Sequence, residues 1–328
     1  MNALHTVKAE QLAAAKILRE LVTVEIAEEA RGLYIETTIT TGEDEVRVIT
    51  SGEHDCIARI EHAPFTPFAE HAAEAAEAAH EGSLGEFIEF AKTCPLEELT
   101  FLRDALNMNR VVYYRAMEEG LAHHVLPNML LQDGSLYAQA KKMAGTASYA
   151  RMHGIPLPVM TATGSGNQGL TLFLTVDAAA RTFNVSEERL LRALACAALA
   201  NVYIKSFIGP LSSVCACGVA AGLSAAIGVV FLMGGGEKEM LQASRNILGS
   251  VSGMICDGAK PSCAAKIASA VEAGLLGMQM QRHGTQFYAG EGIVVKGVEN
   301  TIKNVNELAH TGMKETDRLI IHLMTDSL

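Results

Sequence analysis

The chain has 328 residues, of which 49 % are hydrophobic and only 5 % aromatic, with no tryptophan and a formal net charge of −11. That is enough apolar material for one large or two ordinary domains, whose cores must be closed by Ala, Leu, Ile, Val, Met and Gly. The acidic balance works against nucleic acid or an anionic membrane as a partner, because polyanionic surfaces are met by clustered Lys and Arg.

The first sixty residues read as α/β. KAEQLAAAKILRELV, from Lys8 to Val22, has helical spacing, and VTVEI, LYIETTIT and VRVIT have strand character. Gly42-Glu43-Asp44-Glu45 separates the last two as a hairpin loop does, and CIARIEH, from Cys56, alternates as a further strand. HAPFTPF, from His62, ends the sheet with two prolines, and EHAAEAAEAAHEG, Glu70 to Gly82, follows as an Ala/Glu helix or linker. Glu70, Glu74, Glu77 and Glu81 share one helical face there, which reads as a solvated acidic stripe rather than a metal site with His71 and His80. From Gly85 onward the period is helical. The expected fold is therefore α+β: a small N-terminal α/β domain with a mainly antiparallel sheet over 1–65, an acidic Ala-rich linker or helix over 66–84, and a larger all-helical domain over 85–328 with buried Ala/Gly-rich helices.

Within that second domain, SFIGPLSSVCACGVAAGLSAAIGVVFLMGGG (Ser206 to Gly236) carries no charge and is long enough to cross a bilayer. Its small residues, and the absence of an aromatic belt or of a charge bias between Lys205 and Lys238, favour a buried central helix over a span. Seven cysteines, an odd number, and no Arg- or Lys-led apolar leader point away from a secreted disulfide framework and toward a reducing cytoplasm.

Three constellations could carry chemistry. VMTATGSGNQGLTLFL, Val159 to Leu174, offers backbone N–H groups, hydroxyls and amides at the start of an apolar helix, where the helix dipole favours an anion such as a carboxylate. It lacks the Lys-Ser/Thr ending of a phosphate loop, and composition alone leaves a substrate cradle and a glycine-rich kink equally open. Cys215, Cys256 and Cys263 are thiols suited to soft metals, but their spacing matches no ferredoxin or zinc ribbon, so ligands and small core residues both stand. The histidines are scattered without a His-Glu-x-x-His pair, and GSG does not follow a strand as a serine-hydrolase elbow does.

ARMHGIPLPVMTATGSGNQGL, LSSVCACGVAAG, GSVSGMICDGAKPSCAAKIASA, GEGIVVKGVENTI and KETDRLII occur in this order. Together they resemble the L-cysteine desulfidase family, iron–sulfur relatives of the bacterial L-serine dehydratase alpha chain. The resemblance implies a [4Fe-4S] cluster held by three cysteines with one iron open to a small amino-acid substrate, and no pyridoxal phosphate. In the dehydratases the ligand blocks match Cys215, Cys256 and Cys263. In the desulfidases one ligand instead comes from a Cys-Thr-Glu-Pro stretch that this sequence lacks. The expectations are then a naturally short chain in which Cys263 or Cys217 fills the place, half of a two-chain enzyme whose second polypeptide supplies the segment, or a misassigned or truncated start, with a homo-oligomer or that second chain as the expected partner. The implied reaction is β-elimination of L-cysteine to pyruvate, ammonia and sulfide, with L-serine ammonia-lyase and a non-catalytic subunit as alternatives. Thr163, Ser165, Gly166, Asn167 and Gln168 are the expected substrate-binding residues, matching the dehydratases' Thr-Ala-Gly-Ser-Ala-Gly loop. Lys266, one turn past Cys263, is the expected general base; such a role needs a desolvated amine.

Overall fold

The computed structural model describes residues 7–27, 30, 33–52, 56–68, 82–209 and 212–325. They fall into two compact units, one drawn from Met1–Ala79, Gly209–Leu211 and Asp317–Leu328, the other from His80–Ile208 and Ser212–Thr316.

In the first unit, α1 (Ala9–Leu18) precedes a three-stranded antiparallel meander of β1 (Tyr34–Thr41), β2 (Asp44–Ser51) and β3 (Ile57–His62). Gly42 at φ +59° turns the chain tightly, so that Thr41 pairs with Asp44 and the register runs back to Tyr34 opposite Ser51. On the central strand Arg47 is buried and forms ion pairs with Glu36 of β1 and Glu61 of β3, so one face of the sheet is a charged ladder across all three strands. The expected strand at VTVEI did not form: Val22 to Ile26 lie outside regular structure, with Val22 and Val24 exposed. Its β-branched residues favour a strand only where a neighbouring ladder receives them, and none does among the described residues. The acidic stripe of Glu70 to Glu81 and its two histidines lie outside the described residues.

The second unit is helical: α2 (Leu84–Thr93), α3 (Phe101–Glu118), α4 (Asn128–Gln132), α5 (Leu136–His153), α6 (Gly166–Phe183), α7 (Glu187–Ile208), α8 (Val219–Leu232), α9 (Glu237–Val251), α10 (Cys263–Arg282) and α11 (Val298–Glu307). α12 (Lys314–Thr325) closes the described chain. Pro95, which lacks the N–H a continuing helix requires, separates α2 from α3 where the sequence pattern ran on. The uncharged stretch Ser206–Gly236 is not one helix. α7 ends at Ile208, Gly209 takes φ +74°, a loop carries Cys215 and Cys217, and α8 begins only at Val219.

Every residue of α8 except Phe231 is buried, and glycines set how closely its neighbours approach. A Cβ on Gly274 of α10 would lie 2.9 Å from the Gly222 carbonyl oxygen of α8, and one on Gly228 would lie 3.0 Å from that of Ala193 on α7. Small residues thus replace aromatic bulk with backbone proximity, as the composition required. With 14 residues α8 falls short of a bilayer. Among the described residues α7 alone is long and apolar enough to cross one, and 67 % of its apolar window is buried inside the unit.

One buried charge ties the bundle together. Asp177 of α6 is fully buried and accepts hydrogen bonds from Arg110 Nε at 3.0 Å and Nη2 at 2.5 Å, and from Arg181 Nε at 3.0 Å. Arg110→Met should cost about 3 kcal/mol, because it leaves a buried carboxylate with half its partners. Chemical denaturation checks this, and Arg110→Met/Asp177→Asn should recover most of the loss. A single variant as stable as the wild type would show that Arg181 alone satisfies the carboxylate.

Candidate functional site

The loop before α6 is a tight turn. Ala162 and Ser165 exchange N–H···O bonds of 3.1 and 3.0 Å, and the two residues between them, Thr163 and Gly164, have φ +47° and +78°. Two positive φ values in succession are the mark of a type I′ turn, which Gly occupies freely and a β-branched Thr does not. Strain at Thr163 is held by its neighbours: its hydroxyl donates to Asn201 Oδ1 at 3.1 Å, and Asn201 Nδ2 donates to Gln168 Oε1 at 3.2 Å. Ser165 then caps α6, its Oγ accepting from the Gln168 N–H. Thr163 and Gly164 are exposed at the tip, while Gly166, Asn167 and Gln168 are buried behind it.

Two contacts fix where the turn sits. Asn109 of α3, fully buried, donates from Nδ2 to the Met160 carbonyl at 3.2 Å and accepts the Met160 N–H at 2.9 Å, as a paired strand would. A Cβ on Gly169 would lie 2.0 Å from that same Met160 carbonyl oxygen, so only glycine lets α6 approach this closely.

The cysteines reach the same place by a different device. Val214 and Ile255 form an isolated antiparallel bridge, with Cys215 N–H donating to Met254 O at 2.7 Å and Cys256 N–H donating to Ser213 O at 2.8 Å. Side chains alternate across such a pairing, so Cys215 and Cys256 share the face opposite Val214 and Ile255. Cys217 follows in the first loop and lies 3.7 Å, sulfur to oxygen, from Ser165 Oγ, which joins the cysteine loop to the turn. Cys263 opens α10, with its sulfur 3.5 Å from the Gly258 carbonyl.

The thiols are electrically aware of one another. Cys215 is pushed up, first by donating its proton to Cys217 and then by burial, while Cys217 is lowered by that same bond, against its own burial and with help from Ser165. Cys256 is raised by burial, with the neighbouring sulfurs of Cys215 and Cys263 adding to it. Cys94 and Cys196 stand apart as core residues, burial pushing the Cys196 thiol up to about 12.

Lys266 donates to the Ile255 carbonyl at 2.9 Å and is paired with Asp257, which also holds Lys260 at 2.6 Å. Burial pulls the Lys266 ammonium down, but the hydrogen bond and charge of Asp257 outweigh it and the net shift is upward. Asp257 and the Ile255 carbonyl thus fix where the Lys266 amine stands, within electrostatic reach of Cys215 and Cys263. A second lysine is better hidden: Lys205 of α7 is 7 % exposed, one turn beyond Asn201 on the same helical face. It is lowered by burial against the opposing pull of Cys217 and Cys256.

Asn109 and Asn201 were not singled out from the sequence, and Lys205 entered only as a flank of the uncharged stretch. The only signal for Asn201 and Lys205 was two polar residues four apart in an otherwise Ala/Leu-rich helix. Among the described residues no three Cys, His, Asp or Glu side chains form a group that could hold a single metal ion.

Known proteins give this geometry a setting. The model of the serine dehydratase alpha chain family matches residues 6–322, and the chain belongs to that family. A UPF0597 protein of Desulfitobacterium hafniense is 43 % identical over 241 residues, which are 73 % of this chain and 56 % of that protein. The chain thus spans little more than half of that relative's length. A UPF0597 protein of Clostridium botulinum is 32 % identical over 341 residues, covering 100 % of this chain and 80 % of its own, and one of Oleidesulfovibrio alaskensis is 36 % identical over 315 residues, covering 92 % and 73 %. No solved structure matches the chain significantly.

Proposed function

We propose that this chain is an iron–sulfur lyase of the cytoplasm that eliminates sulfide from L-cysteine, leaving 2-aminoacrylate, which hydrolyses to pyruvate and ammonia. The observation that carries the reading is the meeting of two bridged cysteine loops with the strained Thr163 turn through Ser165 and Cys217. The donor set fits a cluster better than a lone ion: the thiols of Cys215, Cys217, Cys256 and Cys263 act on one another, and the neighbouring Asp257 carboxylate is already engaged by Lys260 and Lys266. A buried hydroxyl without a partner, Ser148 Oγ, lies one turn from Gly145, the residue of α5 that packs on Ala264 and Ala268 of α10, and so stands near the start of that helix.

Cys215, Cys256 and Cys263 would hold the [4Fe-4S] cluster, whose open iron supplies Lewis acidity at the leaving thiol. The chain's own residues do the rest. The turn at Thr163–Gly164 presents backbone N–H groups to the substrate's polar end, with Ser165 beside it and the buried Asn167 and Gln168 behind. The Lys266 ammonium, fixed by Asp257, places a positive charge beside departing sulfide. No residue is assigned as the base that takes the Cα proton. L-Serine is the second reading, favoured by the family's description.

Anaerobically purified protein should contain iron and acid-labile sulfide and turn over L-cysteine faster than L-serine. Ser165→Ala and Asn167→Ala should each raise KM about tenfold, the worth of one hydrogen bond to a charged group, at unchanged iron content. Preparations without iron under strict anaerobiosis would overturn the cluster reading. Wild-type kinetics in both variants would remove the turn from the substrate site.

A further inference from the structure

Arg151 enters this site from α5 and plays no part in the account so far. Its guanidinium lies against the first turn of α6: a Cβ on Gly166 would meet Nε at 2.5 Å and Cζ at 2.9 Å, and Nη1 is 3.4 Å from Asn167 Oδ1. Glycine at 166 is what lets the planar group rest on the helix backbone. That same turn begins with Ser165, whose hydroxyl faces Cys217, so the guanidinium and the thiols flank one stretch of three residues. The helix register agrees. α5 runs antiparallel to α10, with Lys141 beside Glu272 and Gly145 beside Ala264 and Ala268, so continuing along α5 brings Arg151 level with the start of α10, where Cys263 stands.

The charge itself is unanswered. Arg110, Arg181 and Arg192, in the same unit, are each bound to a carboxylate. Arg151 is half-buried, and among the described residues it has only the Asn167 amide oxygen and, at 4.0 Å, the Met152 sulfur. Beside it Asn167 is 4 % exposed as a residue, and its amide nitrogen donates to no described residue. A partly desolvated guanidinium with free N–H groups, set next to that amide, is complementary to a carboxylate held in two parallel hydrogen bonds.

We propose that Arg151, seated on Gly166, recognises the α-carboxylate of the substrate and restricts the site to small carboxylates. The inference rests on the lyase reading of the site and adds to it the group that selects the substrate class. The carboxylate sits one bond from Cα, so gripping it at the start of α6 turns the β-substituent toward the cysteine loops. Lys at this position would supply charge without the fork.

The test compares the anaerobic, cluster-containing wild type with Arg151→Met, Arg151→Lys and Gly166→Ala. Arg151→Met should raise KM for L-cysteine about a hundredfold with kcat changed less than about threefold, the pattern of lost uniform binding. Arg151→Lys should recover only part of this, and Gly166→Ala, which displaces the guanidinium without removing it, should fall between. Titration calorimetry reads the same interaction without turnover: pyruvate should bind the wild type and not Arg151→Met, while cysteamine, which lacks the carboxylate, should bind both equally. Retention of wild-type KM and pyruvate binding in Arg151→Met would overturn the assignment, as would equal loss of pyruvate and cysteamine, which marks a structural role. An iron-containing wild type inactive on both amino acids would instead refute the lyase reading, and the calorimetry would still decide the role of Arg151.

Discussion

Cys215→Ser and Cys256→Ser, each alone, should reduce iron and acid-labile sulfide to about a tenth of the wild-type content or less and abolish elimination, with the helical circular dichroism unchanged. The loops that carry them are joined through backbone bonds, Cys215 N–H to Met254 O and Cys256 N–H to Ser213 O, which a serine side chain leaves in place. The substitution therefore removes a soft ligand and little else. Cys263→Ser should behave the same way, whereas Cys217→Ser should keep most of its iron. Cys196→Ser is the control: its thiol is buried in the core away from the bridge, so the expected loss is in stability alone. Iron retained by Cys256→Ser, or lost equally by Cys196→Ser, would remove the bridged loops as the cluster's seat.

Gly169→Ala should be the most damaging added methyl group among the described glycines. Its Cβ would meet the Met160 carbonyl oxygen at 2.0 Å and two backbone carbons at 3.0 Å, none of which can rotate away. Met160 cannot retreat either, because Asn109 grips both its N–H and its carbonyl. α6 must part from the loop at a cost of about 3 kcal/mol, and the Thr163 turn should lose its register against Cys217. Thermal melting should show a drop of roughly 5–10 °C, with KM rising in parallel. Gly164→Asn gives the contrast: its φ is +78° but the space around it is open, so the expected cost is below about 1 kcal/mol. If Gly169→Ala melts like Gly164→Asn, the close approach of α6 to Met160 is not what holds the turn.

Local pattern made much of this fold legible. The hairpin at Gly42, the strand character of β1 and β2, the alternation in β3 and the helical period after Gly85 are all encoded within a few residues of where they act. The Thr161–Gly169 loop could be recognised as a polar segment at a helix start for the same reason. What remained hidden depends on residues far apart in the chain. Nothing near Asn109 announces that its amide will clamp Met160, and Arg151 reads as an ordinary charge on a helix end until α6 is packed against it. The break in Ser206–Gly236 was missed because hydropathy hides a turn among small apolar residues, although Gly209 marks it. The shared face of Cys215 and Cys256 follows from a bridge two hydrogen bonds wide, which no spacing rule encodes.

That bridge also orders events in time. Between its two halves lie α8 and α9, so Val214 can meet Ile255 only after both helices have folded back on themselves. Two hydrogen bonds repay little of the entropy of closing so long a loop, and the packing of α8 against α9 and α10 has to come first. The bridge therefore forms after the packing of α8 against its neighbours. Amide hydrogen exchange at Cys215 and Cys256 should be faster than in the middle of α8.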